Sequence, residues 1–326
     1  MGNQVNTGLA QLSDQLILVT VLLYLGAMIG YALELAFGRP RGQAPARRTR
    51  EPVAVGAGAA GRAETDTAQE TGDAGETGAA VPYAPWAATV GRVAVAVSWL
   101  GWAANLAGIV TRGVSAGRWP WGNMYEFTVA ICFAAVTTFL VLGLRQRIRF
   151  LGAFVMVAAV LGLGFAVRYL YVQAGPVVPA LNSYWLALHV GAAIIASGLF
   201  FLAGVTGVLY LVRRPGAVRL PDRRTLERVM HRAIVLAFPI WTFAVIAGAL
   251  WADRAWGRYW GWDPKEVWSF ITWLAYAAYL HAYATAGWRG TRSVIIQLVA
   301  CGCLLFNLVG VNLFFGSLHS YADIPG

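Results

Sequence analysis

The sequence predicts an all-α fold, a polytopic bundle of about eight transmembrane helices. Of its 326 residues, 58% are hydrophobic and only 12% are charged, and the mean hydropathy is +0.59. Soluble domains carry about 25% charged residues, so a soluble fold is excluded. The apolar residues form runs of about 20, the length at which a helix crosses the hydrocarbon of a bilayer. Strand-length segments do not occur among these runs, which favours a helical bundle.

Short polar connections divide the chain into eight predicted spans, at 15–37, 88–110, 125–144, 151–172, 187–212, 233–252, 266–287 and 293–315. The first domain, 1–37, lacks the basic start and cleavage site of a signal peptide, so we expect a retained helix. Residues 38–87 are basic and then rich in Ala, Gly, Glu and Thr, which predicts a disordered cytoplasmic linker. Residues 88–326 form the rest of the bundle.

Arginine clusters predict the orientation of the bundle. The net charge is +10, and the basic residues concentrate in alternate connections, at 39–50, 145–149, 213–232 and 289–292. The positive-inside rule puts these connections on the cytoplasmic side and both termini on the outer side. Nucleic-acid binding would need the charges on one soluble face, so we expect none. The three cysteines, Cys132, Cys301 and Cys303, lie in apolar spans and predict packing, not a disulfide framework.

The stretch 251–268 holds five of the fourteen tryptophans, Trp251, Trp256, Trp260, Trp262 and Trp268. Indole rings favour the boundary between membrane and water, so an interfacial anchor is one interpretation. Two glycines between the rings remove side-chain bulk, and Asp263-Pro264-Lys265-Glu266 is a helix-start signal. We call 251–268 the aromatic shelf, because a flat apolar ligand could lie on it.

The four histidines differ in their predicted depth. His189 begins the fifth span and His319 follows the eighth, both at the depth of the aromatic shelf, so two imidazoles could ligate a haem iron from opposite sides. His281 follows Glu266 by fifteen residues, about 22 Å along a helix, so it lies near the cytoplasmic end. An ionisable residue in a span is a functional candidate, but His281 could also snorkel. His231 is expected to be solvated in a basic loop.

The order of residues in Trp-Gly-Arg-Tyr-Trp-Gly-Trp-Asp-Pro-Lys-Glu, followed by Val-Trp-Ser-Phe-Ile-Thr-Trp, resembles the tryptophan-rich signature of haem-handling proteins of cytochrome c maturation. The sequence is most similar to the CcsA/ResC family of the System II cytochrome c synthase, from about Trp99 to the C-terminus. The resemblance implies that His189 and His319 ligate haem iron at the outer face and are the catalytic residues. It also implies that His281 belongs to an inner haem site. The other haem-binding residues would be Trp256, Trp260, Trp262, Asp263 and Lys265.

Lys265 is the chain's single lysine. It could pair with an acid at the shelf or with a haem propionate, and a solvated position in a turn is the alternative.

The resemblance further implies an enzymatic role as part of a complex. Haem b would be the bound substrate, presented for thioether attachment to a Cys-x-x-Cys-His segment of apocytochrome c. The implied partners are a CcsB/ResB-type membrane subunit, apocytochrome c, a thioredoxin-like protein that keeps thiols reduced, and membrane lipid. The implied location is the bacterial plasma (inner) membrane, with the active site on its outer face.

Three other functions remain open from the sequence. A haem exporter could load a separate haem chaperone, which the eight spans and terminal His319 disfavour. A di-haem respiratory subunit would need four axial histidines in two pairs, one pair at each side of the membrane. A small-solute transporter would need broken helices and polar residues at the midplane, whereas the polar residues here lie in external loops.

Overall fold

The computed structural model describes residues 5–38, 84–146, 148–176, 183–214, 220–316 and 318. Every regular element in these ranges is helical, and eight of the helices are long. They are α1 Thr7–Phe37, α2 Pro85–Ala116, α3 Met124–Arg145, α4 Gly152–Tyr169, α5 Tyr184–Val212, α6 Arg223–Trp256, α7 Pro264–Ala284 and α8 Thr291–Leu305. A 3-10 turn, Arg149–Leu151, precedes α4. The predicted all-α bundle of about eight helices is confirmed.

Seven of the long helices are apolar enough to cross a membrane on length and composition. The exception is α7, which is built largely from aromatic residues and alanine. Several helices extend beyond the predicted spans. For example, α6 begins at 223, ten residues before the apolar run, because the side chain of Asp222 caps it by accepting a hydrogen bond from the Thr225 N–H at 3.1 Å.

The predicted linker 38–87 falls mostly on residues outside the described ranges. Its last three residues already belong to α2, which begins at Pro85. Proline suits the first helical position, since its fixed φ is helical and its missing N–H would have no partner there.

Helix packing relies on small residues at the contacts. The main antiparallel pairs are α1 with α2 and α5 with α6, while α3 packs against α4 and α5, and α8 against α5 and α7. At Gly101 of α2, an added Cβ would lie 2.6 Å from the ring of Tyr24 on α1. Large apolar side chains such as Leu161 stay 68% exposed on the outside of the bundle, as expected where lipid is the solvent.

One end of the bundle gathers the N-termini of α3, α5 and α7 with the C-termini of α6 and α8. The opposite end holds His231, and here the expectation of a solvated loop residue was wrong. His231 lies within α6, is half-buried, stacks on Tyr283 with ring centroids 3.7 Å apart, and has its Nδ1 3.2 Å from the Tyr279 hydroxyl.

Beyond Leu305, α8 changes its helical winding. Residues Phe306–Gly310 form a π-turn, in which the N–H of Val311 bonds to the carbonyl of Phe306, and a last α-helical turn, α9 Val311–Phe314, follows. A π-turn leaves carbonyl groups without their usual partners and is often found at functional sites.

Candidate functional site

The turn between α6 and α7 carries most of the aromatic shelf. Gly257 ends α6 with φ of 70°, a left-handed conformation that suits glycine. Asp263 and Glu266 then form a capping box at the start of α7. The carboxylate of Glu266 accepts hydrogen bonds from the N–H groups of Gly261 at 2.8 Å and Asp263 at 3.1 Å. The backbone of the shelf is therefore held by the acids that begin the next helix.

His189 is held in one orientation and one tautomer. Its Nδ1 lies 2.7 Å from the carbonyl oxygen of Ala244 on α6. A carbonyl only accepts, so Nδ1 carries the proton and the lone pair of the neutral ring is on Nε2. The ring is parallel to the indole of Trp251, with an interplanar angle of 7° and centroids 6.4 Å apart.

Gly248 makes room for this histidine ring. An added Cβ at Gly248 would lie 2.7 Å from both Nδ1 and Cε1 of His189. Real Cβ atoms do not approach that closely, so any larger residue would displace the ring or the helix.

A pocket joins the histidine to the shelf. It encloses about 1190 Å³ of empty space, part of it open to solvent, and four predicted site residues line it: His189, Trp256, Trp260 and Lys265. Trp251, which is 1% exposed, also contributes. We call this space the tryptophan pocket. Its wall from α5 and α6 is almost entirely apolar and includes Leu186, Val190, Ala193, Trp241, Ala244, Val245, Ala249 and Ala252.

Lys265 faces the tryptophan pocket from the first turn of α7. Its Nζ donates a hydrogen bond to the carbonyl of Asn307 at 2.6 Å, within the π-turn of α8. Lys265 precedes the apolar run predicted at 266–287. Burial lowers the pKa of its ammonium group to about 8, and the nearby carboxylate of Asp263 opposes this shift.

Two other predicted residues of the shelf lie outside the pocket wall. Trp262 is 76% exposed and meets Trp260 edge to face, with centroids 5.9 Å apart. Asp263 is 7% exposed, and its carboxylate accepts from the N–H of Lys265 at 3.0 Å and from the N–H of Leu318 at 2.8 Å. Asp263 thereby joins the C-terminal segment to the start of α7.

The remaining two predicted histidines are not part of this wall. His281 lies in the last turn of α7, at the opposite end of the bundle, with an exposed side chain. His319 lies outside the described residues and follows Leu318 directly in the chain.

The loop before α3 brings in a residue that the sequence did not assign to the site, Trp121. This loop is held by the buried carboxylate of Glu126. Arg118 donates to its two oxygens at 2.7 and 2.9 Å, Arg112 donates at 3.1 Å, and the N–H of Gly122 donates at 2.8 Å. Trp121 lines the tryptophan pocket and stacks on Trp119 with ring centroids 5.5 Å apart.

Asn307 is a second residue that sequence reasoning missed. It lies in the π-turn, is 5% exposed, and lines the tryptophan pocket. The cluster of aromatic and polar residues at 117–126 is a signal in the sequence that could have identified Trp121, whereas Asn307 stands alone in an apolar run and gave no signal of a π-turn.

A larger cavity of about 1960 Å³ lies between α3, α4, α5 and α8. It shares Met124, Phe127 and Leu308 with the tryptophan pocket. Among the described residues that line it, none is a histidine and none carries a charge. Of the two spaces, only the tryptophan pocket offers an imidazole to a metal and a cation to a carboxylate.

Comparison with known proteins gives consistent matches. The model of the family described as "Cytochrome C assembly protein" matches residues 121–319. The "Cytochrome c biogenesis protein CcsA" of Synechococcus elongatus is 32% identical over 298 residues, covering 75% of this chain and 91% of the relative. The protein of the same name from Chlamydomonas reinhardtii is 34% identical over 224 residues, covering 65% of this chain and 64% of the relative.

Among solved structures, "Cytochrome c Heme Lyase CcmF" aligns with a TM-score of 0.59 at 16% sequence identity. The alignment covers 92% of this chain and 46% of that protein, so the chain spans less than half of its length. At this identity the likeness supports a shared fold.

Proposed function

The chain belongs to the cytochrome c assembly protein family, and we propose that it presents haem b for covalent attachment to apocytochrome c. Its relatives are CcsA-type cytochrome c biogenesis proteins, and a role in cytochrome c maturation implies haem handling. Haem is the substrate, and the tryptophan pocket holds it. The chain acts as a cytochrome c synthase within a complex.

The observation that carries the proposal is the setting of His189. A metal-ligating histidine usually donates its other ring N–H to a fixed acceptor, which sets the tautomer and makes the ligand more basic. The bond from Nδ1 to Ala244 does this and directs the lone pair to Nε2. His189 is therefore the first proposed axial ligand of the haem iron.

We propose His319 as the second axial ligand. Leu318, the residue before it, is bound to the carboxylate of Asp263 beside the shelf. The haem-binding role of Asp263 is thus indirect, through the C-terminal segment. Ligation by two histidines would keep the iron in a suitable redox state until the histidine of the apocytochrome displaces one of the two ligands.

The tryptophan pocket suits a flat, wide and largely apolar substrate. Small-molecule sites are mostly apolar with a few polar groups, and the lining of this pocket has that composition. Trp256 and Trp260 contribute indole surface to it, and we propose that Trp262 touches the haem edge from the rim. Lys265 supplies the positive charge for a propionate.

The chemistry needs positioning more than acid or base catalysis. Each apocytochrome thiol adds across one haem vinyl group, so that a C–S bond forms at one vinyl carbon and the thiol proton goes to the other. The addition consumes no oxidant or reductant, but the thiols must arrive reduced, which a thioredoxin-like partner would ensure. Holding the haem at a fixed place raises the effective concentration of the reacting groups.

His281 is proposed as a ligand of an inner haem site that a CcsB/ResB-type subunit completes. Its side chain is exposed at the end of the bundle opposite the shelf, where a second membrane subunit could reach it. We propose the bacterial plasma membrane as the location, with the tryptophan pocket on the outer face. Seven apolar helices support a multi-pass membrane protein.

The proposal is tested with the full chain and its partner subunit purified from membranes. His189→Gly and His319→Gly should each lose the bis-histidine haem spectrum and cytochrome c formation in the same cells, and added imidazole should restore both in part. His231→Gly is the matched control, because this histidine lies at the far end of the bundle. Retention of cytochrome c formation by both His189→Gly and His319→Gly would refute the proposal.

Loading of a separate haem chaperone is the alternative within the same family of functions. The two functions are distinguished by supplying the complex with a purified apocytochrome peptide that carries two reduced thiols. Formation of a thioether product with no further protein supports attachment by this complex, whereas release of unattached haem supports export.

A further inference from the structure

The exposed side of α6 carries three arginines in a row, at the end of the bundle opposite the tryptophan pocket. Arg224, Arg228 and Arg232 are all exposed, and their spacing of four residues makes them neighbours on one face of the helix. Like charges at this spacing repel one another and destabilise a helix, and an anion bound between them would remove that cost. We call these three residues the arginine stripe.

The positive charge of the stripe is left largely unbalanced. Within the described part of the chain, none of its guanidinium groups forms an ion pair or a hydrogen bond. Of the two acids in this segment, Glu227 accepts from the Gly290 N–H at 2.8 Å. Asp222 accepts from the Thr225 N–H, which lowers its pKa, and the charge of Arg228 contributes to that shift. Asp222 thus offsets only part of three positive charges.

The same face of α6 becomes apolar directly beyond the stripe. It continues at the helical spacing of three or four residues through exposed side chains, which are Val235, Leu236, Pro239, Phe243 and Ile246. At 1.5 Å per residue, the part from 235 to 246 is about 16 Å long, roughly half of the hydrocarbon thickness of a bilayer. Because charge is costly within the hydrocarbon, the stripe lies at the level of the lipid headgroups and the apolar part spans one leaflet.

We propose that this face of α6 binds one anionic phospholipid, with its phosphate on the arginine stripe and an acyl chain along 235–246. A guanidinium group can donate two parallel hydrogen bonds to a phosphate. A headgroup with a net negative charge is favoured over a zwitterionic one, because the arginines repel an ammonium group. The site involves no haem, so this inference is independent of the proposed function.

The closeness of the charged and the apolar parts favours a lipid over an acidic segment of another protein. Arg232 and Val235 are three residues apart, about 4.5 Å along the helix, so the two parts meet on one face within a single turn. A phospholipid joins an anion to an apolar chain over a similarly short distance. An acidic protein segment would pair with the arginines but would leave the exposed apolar part to be covered separately.

The test titrates the full-length chain in detergent with dioctanoyl-phosphatidylglycerol and dioctanoyl-phosphatidylcholine, and counts bound lipid by native mass spectrometry. The wild type should bind phosphatidylglycerol more tightly. Arg224→Gln, Arg228→Gln and Arg232→Gln should each lower that affinity about fivefold, the contribution of one basic side chain near an anionic membrane surface. The triple variant should bind the two lipids about equally. Glycerol phosphate, which lacks the chains, should bind the wild type more weakly than phosphatidylglycerol.

Arg223→Gln is the matched control, because it removes the same charge from the same end of the same helix. The guanidinium group of Arg223 lies over the ring of Tyr210, 5.3 Å from its centroid, and donates to the carbonyl of Arg213 at 3.3 Å. This variant should keep the wild-type affinity for phosphatidylglycerol. Phe243→Ala examines the apolar part, and it should weaken binding of both lipids while their ratio stays unchanged.

Four results would overturn the proposal. If the triple variant keeps the preference for phosphatidylglycerol, the stripe does not hold the headgroup. If Arg223→Gln loses as much affinity as each stripe variant, net charge alone explains the binding. Equal affinity for glycerol phosphate and phosphatidylglycerol would indicate an anion site without a lipid chain. If the triple variant binds lipid as the wild type does but no longer purifies with the partner subunit, the stripe is a protein-binding surface.

Discussion

Gly248→Ala is the sharpest perturbation of the site, because one methyl group acts on one histidine. The new Cβ would lie 2.7 Å from Nδ1 and Cε1 of His189, about 1 Å inside ordinary van der Waals contact. We expect the ring to move off its bond to Ala244. Loss of such a supporting bond typically lowers metal affinity 10- to 100-fold, so haem affinity should fall by about this factor. Helix propensity alone predicts the opposite effect on stability, since alanine favours a helix by about 1 kcal/mol over glycine.

The assay is haem titration of the purified chain, followed by the Soret band, with a thermal melt for stability. Gly191→Ala is the matched control, because Gly191 also lies in a helix near His189 but an added Cβ there meets no atom within 4 Å. It should bind haem as the wild type does. Wild-type affinity in Gly248→Ala, with an unchanged spectrum, would show that the fixed orientation of His189 is not needed for ligation.

Three further predictions concern the other parts of the site. Wild-type haem affinity should fall as the pH rises above about 8, because a bound carboxylate favours protonated Lys265 and the free protein loses that proton there. Lys265→Met should bind haem more weakly, with an affinity that does not change with pH in this range. A wild-type pH dependence of affinity in this variant would exclude Lys265 as the cause. Asp263→Ala should lower the free energy of unfolding by about 1 kcal/mol, the usual contribution of a helix cap, and should make the segment at Leu318 more susceptible to proteolysis. Loss of haem binding without either change would instead indicate direct contact of Asp263 with the ligand. Glu126→Gln should weaken haem binding at least about tenfold through the loop that holds Trp121, because Arg118 loses the carboxylate it pairs with in a buried setting and Arg112 keeps only the carboxylate of Asp14, at 3.5 Å. An unchanged haem titration would separate that ion cluster from the pocket.

The sequence predicted the helices well because each apolar run is long and bounded by charge. Its errors lie at the helix ends. The run at 233–252 gave no sign that α6 starts at 223, since residues outside the hydrocarbon need not be apolar and the start is set by a cap at Asp222. His231 was misjudged for the same reason, because the helix continues through the basic segment and buries it against α7.

The pocket was predicted in part. The motif in 251–268 and the position of His189 identified residues that do line one space, since both lie at helix ends on the same side of the bundle. Trp121 and Asn307 come to this space by packing between distant helices, which periodicity does not encode. Haem ligation by His189, His319 and His281, the contribution of Trp262 to a ligand and the topology of both termini stay predictions.

The π-turn of α8 makes the number of residues in that helix a property of the site. Its carbonyls at Asn307 and Leu308 are met by side chains of Lys265 and Asn312, so the turn is built into the surrounding contacts. Deleting one residue from 306–310 would remove the widened turn and restore regular α-helix, and the helix beyond it would keep nearly the same direction, because a π-turn takes up its extra residue within a single turn. The carbonyl that Lys265 contacts would then gain a backbone partner, since in a regular α-helix each carbonyl is bonded to the N–H four residues later. In alignments of relatives, a single-residue gap in this helix should therefore fall within 306–310, where it leaves the rest of the helix in place.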